Sequence, residues 1–388
     1  AVKEQPFMLR GIRALGMGGA HIGLSEDQNA FFYNPSGITK RKRGMLTLLQ
    51  LRVGISDDMI QFFKWVGDNE DALKDFDKQD QDEKEEIIDK ISDTITKYRT
   101  RVLFNVPNIN FISGPRGEKG KAFWGWGLFD QADVGFKMNP GILVPTVDIW
   151  GNVDAAGMFM YARKFPFDIS GGINVKYMGR AGIREERKSI LTFENFDPTL
   201  QPGTGWGIDL GASWDPVKEI SVGMQISDFG GTKIKYDEVK EHKTQEDGTT
   251  KTSIKKEFTG VINPRVNMGI TYKPMRKIVK ILFMPDVTFA IDIRDITDEA
   301  GDGVLTTPEI FRNLHAGAEF AWRFLAFRTG LNSGYPTLGL GCYLWSLKFD
   351  YALYTDEAGM FPGDNPETNH LIAITWRFGT TLTKKDFK

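Results

Sequence analysis

Residues 14–37 read ALGMGGAHIGLSEDQNAFFYNPSG, and this stretch decides the fold of the chain. It is rich in glycine and other small residues, and it ends in the turn sequence Asn34-Pro35-Ser36-Gly37. Directly after it begins a series of strand-like segments that continues almost to the C-terminus. A compact segment of this kind ahead of many alternating strands predicts a β-barrel whose lumen is closed by an N-terminal plug.

Alternation of apolar and polar residues is the main evidence for the barrel. In 204–214, for example, Trp206, Ile208 and Leu210 alternate with glycines and Asp209. A period of two predicts strands with one apolar and one polar face. Fourteen such segments lie at 44–55, 102–113, 121–137, 146–163, 168–180, 204–214, 219–229, 259–272, 280–294, 310–322, 325–333, 337–346, 347–355 and 369–378. We therefore predict an all-β fold, a 14-stranded antiparallel transmembrane β-barrel, in which the charged residues face inward.

The connections between these segments support the same architecture. Short connections such as 164–167 and 215–218 alternate with longer ones such as 181–203 and 230–258. Outer-membrane barrels alternate short periplasmic turns with longer extracellular loops in this way. The predicted units are an N-terminal hatch at 1–43, the barrel at 44–378 and a C-terminal tail at 379–388.

One segment has a helical rather than a strand pattern. Residues 57–98 carry two apolar stripes, which are Met59, Ile60, Phe63 and Val66, and then Ile87, Ile88, Ile91 and Ile95. A charged stretch separates them, so we predict a helical hairpin inserted in the first extracellular loop. Two interpretations stay open: a cap that packs on other loops, or a hydrophobic groove that captures ligand.

Composition excludes several classes of function. The formal net charge is −2, which argues against nucleic-acid binding. The single cysteine, Cys342, cannot form an internal disulfide, and the four histidines stand in no recognisable metal or nucleophile motif. We predict no enzyme activity, no metal and no cofactor. The chain begins without a signal peptide, as expected for a mature exported protein.

The first stretch also resembles a known family. Gly16, Gly18 and Gly19 lie in a Gly-Met-Gly-Gly-Ala run that leads to Asn34, Pro35 and Ser36. This hatch motif resembles that of the FadL family of bacterial outer-membrane transporters, and more distantly PorV-like barrels. The family has alanine where this chain has Ser36, a departure that keeps a small side chain.

The resemblance implies a location, a ligand and a mechanism. A FadL-like protein is expected to be a monomer in the bacterial outer membrane, in contact with membrane lipid. It is expected to pass hydrophobic small molecules, such as long-chain fatty acids, by passive diffusion through the plugged barrel. The alternative is a barrel that serves as a binding scaffold for a secreted or surface protein partner, as PorV-like barrels do. The plug argues against a diffusion porin.

Apolar residues of the hatch are candidates for contact with such a ligand. The predicted ligand-binding set, from the hatch and the fourth strand segment, is Phe7, Met8, Leu9, Phe31, Phe32, Tyr33, Met158 and Met160. The open alternative is that the hatch members only pack the plug against the inner wall.

Charged residues on the predicted lumen face are the second candidate set. Lys176, Arg265, Arg294 and Arg328 are candidates for binding a ligand carboxylate. Acidic residues share the same face, so mutual pairing of these charges across the lumen is the alternative.

The third strand segment contains an irregularity. Its alternation fails near 130–133, which predicts a bulge or kink there. In the resembled family, a wall opening at a kinked third strand lets ligand leave sideways into the bilayer. A local bulge without an opening is the alternative.

A basic run at 40–43 follows the hatch motif. It is interpreted either as a solvated turn or as a contact with lipid head groups on the periplasmic side.

Overall fold

The computed structural model describes residues 2–68, 99–117, 120–139, 146–189, 200–244, 250–274, 285–297, 307–357 and 363–379. Its strands are β1 Val2–Lys3, β2 Met45–Ser56, β3 Arg99–Phe104, β4 Ile109–Ile112, β5 Ala122–Asn139, β6 Thr146–Lys164, β7 Ile169–Ser189, β8 Gln201–Val217, β9 Ile220–Ser227, β10 Thr232–Tyr236, β11 Val239–Thr244, β12 Thr250–Lys255, β13 Phe258–Ile262, β14 Arg265–Tyr272, β15 Asp286–Ile293, β16 Leu314–Ala321, β17 Leu325–Asn332, β18 Tyr335–Leu344, β19 Leu347–Glu357 and β20 Pro366–Phe378.

The wall is a closed antiparallel barrel with fourteen strand positions, which confirms the predicted fold. Three positions are each shared by two strands, namely β3 with β4, β9 with β10, and β13 with β14. β2 pairs with β20, from Leu46 opposite Phe378 to Ser56 opposite Asn369, and this pairing closes the ring. β11 and β12 form a separate hairpin.

The two faces of the wall differ as the alternation predicts. On β20, Ile372, Ile374 and Trp376 are exposed on the outer face, whereas Leu371 and Ala373 are buried on the inner face. The other wall strands repeat this arrangement, so a belt of apolar side chains surrounds the barrel. An apolar surface of this extent is stable in lipid rather than in water.

The N-terminal segment fills the lumen. It contains helices α1 Ile12–Gly16 and α2 Ala30–Tyr33 and a 3-10 helix at Pro35–Lys40, and almost all of its residues are buried. At its start, β1 pairs in parallel with β13. The hydrophobic core therefore lies inside the barrel, between this segment and the wall.

The first long loop, which the sequence predicts to be a helical hairpin, is described only at its start. Helix α3 covers Asp57–Asp68, where Met59 is buried but Ile60 and Phe63 are exposed. The second predicted stripe lies outside the described residues, as does most of the predicted tail. A further helix, α4, covers Thr307–Asn313. Among the described residues, none of the helices is both long enough and apolar enough to cross a bilayer.

The irregularity predicted for the third wall strand lies in its neighbour instead. β5 pairs with β6 in an unbroken register through 130–133, so the predicted bulge there is wrong. The break is between β3 and β4, where Val106 and Pro107 together stand opposite Leu51 of β2. Proline has no N–H to donate, so the ladder cannot continue through this point.

Asp130 replaces part of the missing ladder, which explains the failed alternation. Its carboxylate accepts a hydrogen bond from the Val106 N–H at 2.8 Å. Its own N–H donates to Asn108 Oδ1 at 2.9 Å. A polar residue at an outward position of β5 therefore reports a defect in the adjacent strand.

Candidate ligand site between hatch and wall

Glycines let the hatch backbone lie directly on the wall. Gly18 has a φ of +65°, and a Cβ there would lie 2.3 Å from the Ala316 carbonyl oxygen. On the wall, a Cβ at Gly317 would lie 2.2 Å from the Met17 carbonyl oxygen. His315 Nδ1 donates to the Gly18 carbonyl oxygen at 2.8 Å. The glycine-rich run is therefore needed for contact between two backbones, with no space for side chains.

The turn that ends the hatch is fixed by a second contact of the same kind. Asn34 Nδ2 donates to the Ala212 carbonyl oxygen at 3.0 Å. Asn34 Oδ1 accepts from Ser36 twice, from the N–H at 3.1 Å and from the hydroxyl at 2.7 Å. A Cβ at Gly211 would lie 2.2 Å from Asn34 Oδ1. The serine that departs from the family pattern thus adds a bond inside the turn.

Sequence reasoning missed the wall side of these contacts. The wall glycines that the hatch touches include Gly172, Gly211, Gly223, Gly317, Gly330 and Gly339. Their signal in the sequence is glycine at inward positions of several strands, where a packed lumen has no space for a side chain.

A cavity of about 130 Å³ lies between the hatch and the wall, and we call it the hatch cavity. Its lining residues are Pro6, Phe7, Met8, Ile22, Phe31, Phe32, Tyr33, Met158, Lys176, Asp209, Gln225, Ser227, Asp228, Arg265, Asn267, Arg294 and Asp295. The structure thus brings together six of the eight apolar candidates. Leu9 and Met160 lie in the adjacent hydrophobic core rather than in the lining.

Aromatic side chains form one side of the hatch cavity. Phe32 packs edge-to-face on Phe7, with ring centroids 5.7 Å apart. Both Phe31 and Phe32 lie 5.0 Å from the ring of Phe129 on β5. Such contacts hold the rings in fixed orientations. Phe129 was not among the sequence candidates, because it lies where the alternation of β5 fails.

Three of the four candidate cations line the hatch cavity. Lys176 Nζ forms ion pairs with Asp209 at 2.8 Å and Asp228 at 2.7 Å. Arg265 lies 3.8 Å from Asp295. Lys176 therefore already has two carboxylate partners, and Arg265 has one.

Arg294 is held differently from the other two cations. Its Nη2 donates to the Gly19 carbonyl oxygen, and its guanidinium lies 4.8 Å from the centre of the Tyr33 ring. Its Nε is buried and has no hydrogen-bond partner among the described groups. Arg294 thus links the hatch to the wall at the edge of the cavity.

The fourth candidate, Arg328, lies away from the hatch cavity. It bonds Glu319 at 2.7 Å and Asp350 at 2.9 Å. Arg13 of α1 bonds the same Glu319 at 2.6 Å, so this network connects the hatch to the opposite wall. Within the part of the chain that the structure describes, no group of three or more His, Cys, Asp or Glu residues forms a metal site.

The basic run after the hatch has a structural part and an exposed part. Lys40 Nζ donates to the Gly23 carbonyl oxygen at 2.8 Å and lies 3.4 Å from Asp215. Burial lowers the pKa of the Lys40 ammonium despite this carboxylate. Arg41 donates to the Glu26 carbonyl oxygen at 2.7 Å. The first two residues of the run thus fix the base of the hatch, whereas Lys42 is exposed.

Asp27 carries a buried charge within the hatch. Its carboxylate lies 3.4 Å from His21 Nε2 and 3.6 Å from Arg13, and it accepts from the Asn29 N–H at 2.9 Å. Burial alone would raise the pKa of Asp27, but His21 and Arg13 hold that pKa well below its usual value. The ionised form therefore stabilises the folded hatch.

This charge predicts acid sensitivity of the hatch. A carboxyl whose pKa is lowered by folding contributes stability that is fully present at pH values above its pKa in the unfolded chain, about 4. That contribution is lost as the pH falls toward the folded pKa. Hydrogen-exchange protection of residues 20–33 should therefore decline below about pH 4. In Asp27→Asn, protection should be weaker at neutral pH and less dependent on acid. An unchanged acid response in that variant would assign the effect to another group.

Comparisons with known proteins agree on the fold. No family model matches this chain, and no curated protein sequence does. The Ralstonia pickettii toluene transporter TbuX superimposes with a TM-score of 0.55 at 11% identity, over 96% of this chain and 98% of TbuX. The Pseudomonas putida toluene transporter TodX gives 0.55 at 10% identity, over 97% and 98%. A Pseudomonas aeruginosa FadL homologue gives 0.52 at 10% identity, over 97% and 99%. The chain therefore has the fold of FadL-type channels, and the resemblance is confirmed at that level.

Proposed function

We propose that this protein is a bacterial outer-membrane channel through which hydrophobic small molecules diffuse by way of the hatch cavity. The cavity carries the proposal, because apolar hatch side chains line one side of it inside a barrel with an apolar exterior. Solved proteins with this fold are transporters and channels rather than enzymes. Passive diffusion needs no cofactor.

The size of the hatch cavity favours a compact ligand. An engineered apolar cavity of about 150 Å³ binds benzene. The hatch cavity, at about 130 Å³, is close to that size. It accommodates a single aromatic ring or one end of a longer chain, but not a whole long-chain fatty acid. TbuX and TodX, which share the fold, are described as toluene transporters.

The charge of the lining favours a neutral ligand in this cavity. The lining holds three cations and three carboxylates, which are Lys176, Arg265, Arg294, Asp209, Asp228 and Asp295. Opposite charges in equal number leave no formal excess for a ligand anion to neutralise. An uncharged aromatic molecule thus fits both the volume and the charge.

The break between β3 and β4 supports a lateral exit from the lumen. At this point the segment between β3 and β4 is joined to β5 by two hydrogen bonds, which use the side chains of Asp130 and Asn108 in place of a continuous backbone ladder. Two such bonds are easier to open than a run of backbone pairs. A ligand that leaves the lumen here enters the bilayer directly, and movement of the hatch is the competing route.

Phe32→Arg tests the proposal. The substitution places a charge among the aromatic rings of the hatch cavity, so toluene binding to the purified barrel should fall at least tenfold. The matched control is Phe167→Arg, because Phe167 is 86% exposed in a turn. Binding of [14C]toluene in detergent gives the measurement. Wild-type protein that binds no toluene but purifies with a stoichiometric protein partner would support the scaffold alternative.

A further inference from the structure

Arg52 is a buried cation that the hatch cavity does not use. It lies on the inner face of β2 and is 2% exposed. Its Nε and Nη1 atoms have no hydrogen-bond partner among the protein groups that the structure describes. A buried charge without a partner is destabilising by several kcal/mol. Such a group calls for a counter-charge.

Other buried cations of the lumen do have such counter-charges. Arg180 Nε lies 2.6 Å from Asp154, and Arg328 and Lys176 each contact two carboxylates. Arg101, close by on β3, is paired with Asp133 at 2.5 Å. Within the described part of the chain, no carboxylate forms an ion pair with Arg52. Its environment is thus unlike that of its neighbours.

Amide side chains, rather than carboxylates, lie beside Arg52 on the inner wall. The Asn105 N–H donates to the Arg52 carbonyl oxygen at 3.3 Å, so these residues stand opposite each other across β2 and the strand break. Asn108 and Asn110 follow on the same inner face and are fully buried. We call Asn105, Asn108 and Asn110 the amide patch.

The amide patch contains further unused donors. The Nδ2 atoms of Asn108 and Asn110, and also the Oδ1 atoms of Asn105 and Asn110, are buried without a hydrogen-bond partner among the described groups. Buried polar groups are normally bonded, so each such atom requires an explanation. Together with Arg52, these groups offer a positive charge and several N–H donors on one stretch of wall.

We propose that Arg52 and the amide patch form an anion site at the β3–β4 break that takes the carboxylate of a hydrophobic acid. A guanidinium matches a carboxylate with two parallel N–H···O bonds, which are shorter and stronger than neutral ones. The amides add neutral donors and no competing negative charge. The site rests on the proposed channel function, since the acid would reach it along the proposed diffusion path between hatch and wall.

This site differs from the one that sequence reasoning favoured. Of the four cations predicted to bind a carboxylate, Lys176, Arg265 and Arg328 already have carboxylate partners. Arg294 is the competitor, because its Nε also lacks a partner among the described groups. The experiment must therefore separate Arg52 from Arg294.

Benzoate and toluene are the matched probes, because they differ only in a carboxylate against a methyl group. In the purified full chain, Arg52→Gln should weaken binding of [14C]benzoate tenfold or more and change toluene binding less than twofold. Arg52→Lys keeps the charge but not the fork geometry, so its affinity for benzoate should lie between that of wild type and that of Arg52→Gln. Heat-modifiable mobility on gels verifies that each barrel is folded, and Arg52→Lys serves as the test if the glutamine variant does not fold.

Three results would overturn the proposal. They are benzoate binding that is unchanged in the Arg52 variants, benzoate binding that is lost only in Arg294→Gln, and wild-type protein that binds toluene but not benzoate. In each case the channel proposal survives. Wild-type protein that binds neither probe would instead remove the channel proposal itself.

Discussion

We expect Gly211→Val to displace the hatch and turn the plugged barrel into an open pore. A Cβ at this position would lie 2.2 Å from Asn34 Oδ1 and 2.7 Å from Pro35 Cδ. Contacts this short do not occur in folded proteins, so either β8 or the hatch turn must move. β8 is bonded on both sides within the closed wall, so the turn is the part that yields.

Loss of the contact between the hatch turn and β8 should increase the permeability of the barrel to small solutes. In liposomes, entry of small sugars through Gly211→Val should be at least tenfold faster than through wild-type protein. The hatch should also become sensitive to protease while the wall stays resistant. Gly182→Val is the control, because among the described residues a Cβ there meets only Asn152 Oδ1, at 3.7 Å. Equal sugar entry in Gly211→Val and wild type would mean that the hatch accommodates the side chain.

The second large effect concerns the charge network under α1. Arg328→Met keeps a side chain of similar length but leaves Glu319 and Asp350 without their shared partner. It also removes the donor that bonds the Tyr343 hydroxyl at 2.6 Å. Removal of one member of a buried ion pair typically lowers the free energy of unfolding by about 3–5 kcal/mol. We expect a loss of that order.

Urea unfolding of the barrel refolded into lipid vesicles measures this loss. Arg163→Met is the control, because Arg163 is exposed near the end of β6 and should tolerate the change within about 0.5 kcal/mol. A loss below about 1 kcal/mol in Arg328→Met would show that Arg13 and Lys348 suffice to neutralise the two carboxylates.

Alternation predicted the wall well because each membrane strand must present lipid on one side and the packed lumen on the other. The segment predicted at 204–214 lies within β8, Gln201–Val217, with the faces as expected. The ends of strands were harder to predict. The segment predicted at 168–180 continues as β7 to Ser189, because a strand beyond the bilayer no longer needs to alternate.

Contacts between segments account for what the sequence did not reveal. Asp130 interrupts a pattern on β5, yet the cause is Pro107 in the break between β3 and β4, and only strand pairing brings the two together. Arg52 looks like any other inward charge in the sequence. Its lack of an ion-pair partner depends on which carboxylates the fold brings near it, and alternation does not specify that.

The hatch is attached at both ends, and the two attachments are unequal. At its start, β1 contributes a two-residue backbone pairing with β13, through Val2 and Lys3, and Arg180 adds side-chain bonds to the Glu4 carboxylate and the Gln5 carbonyl oxygen. At its other end, the turn after α2 lies against wall glycines and is fixed by Asn34, Ser36 and Lys40. The plug is therefore mechanically asymmetric, compliant at β1 and stiff at the turn. Under a pulling force it should yield first at β1, so that lumen access widens there while the opposite end stays shut.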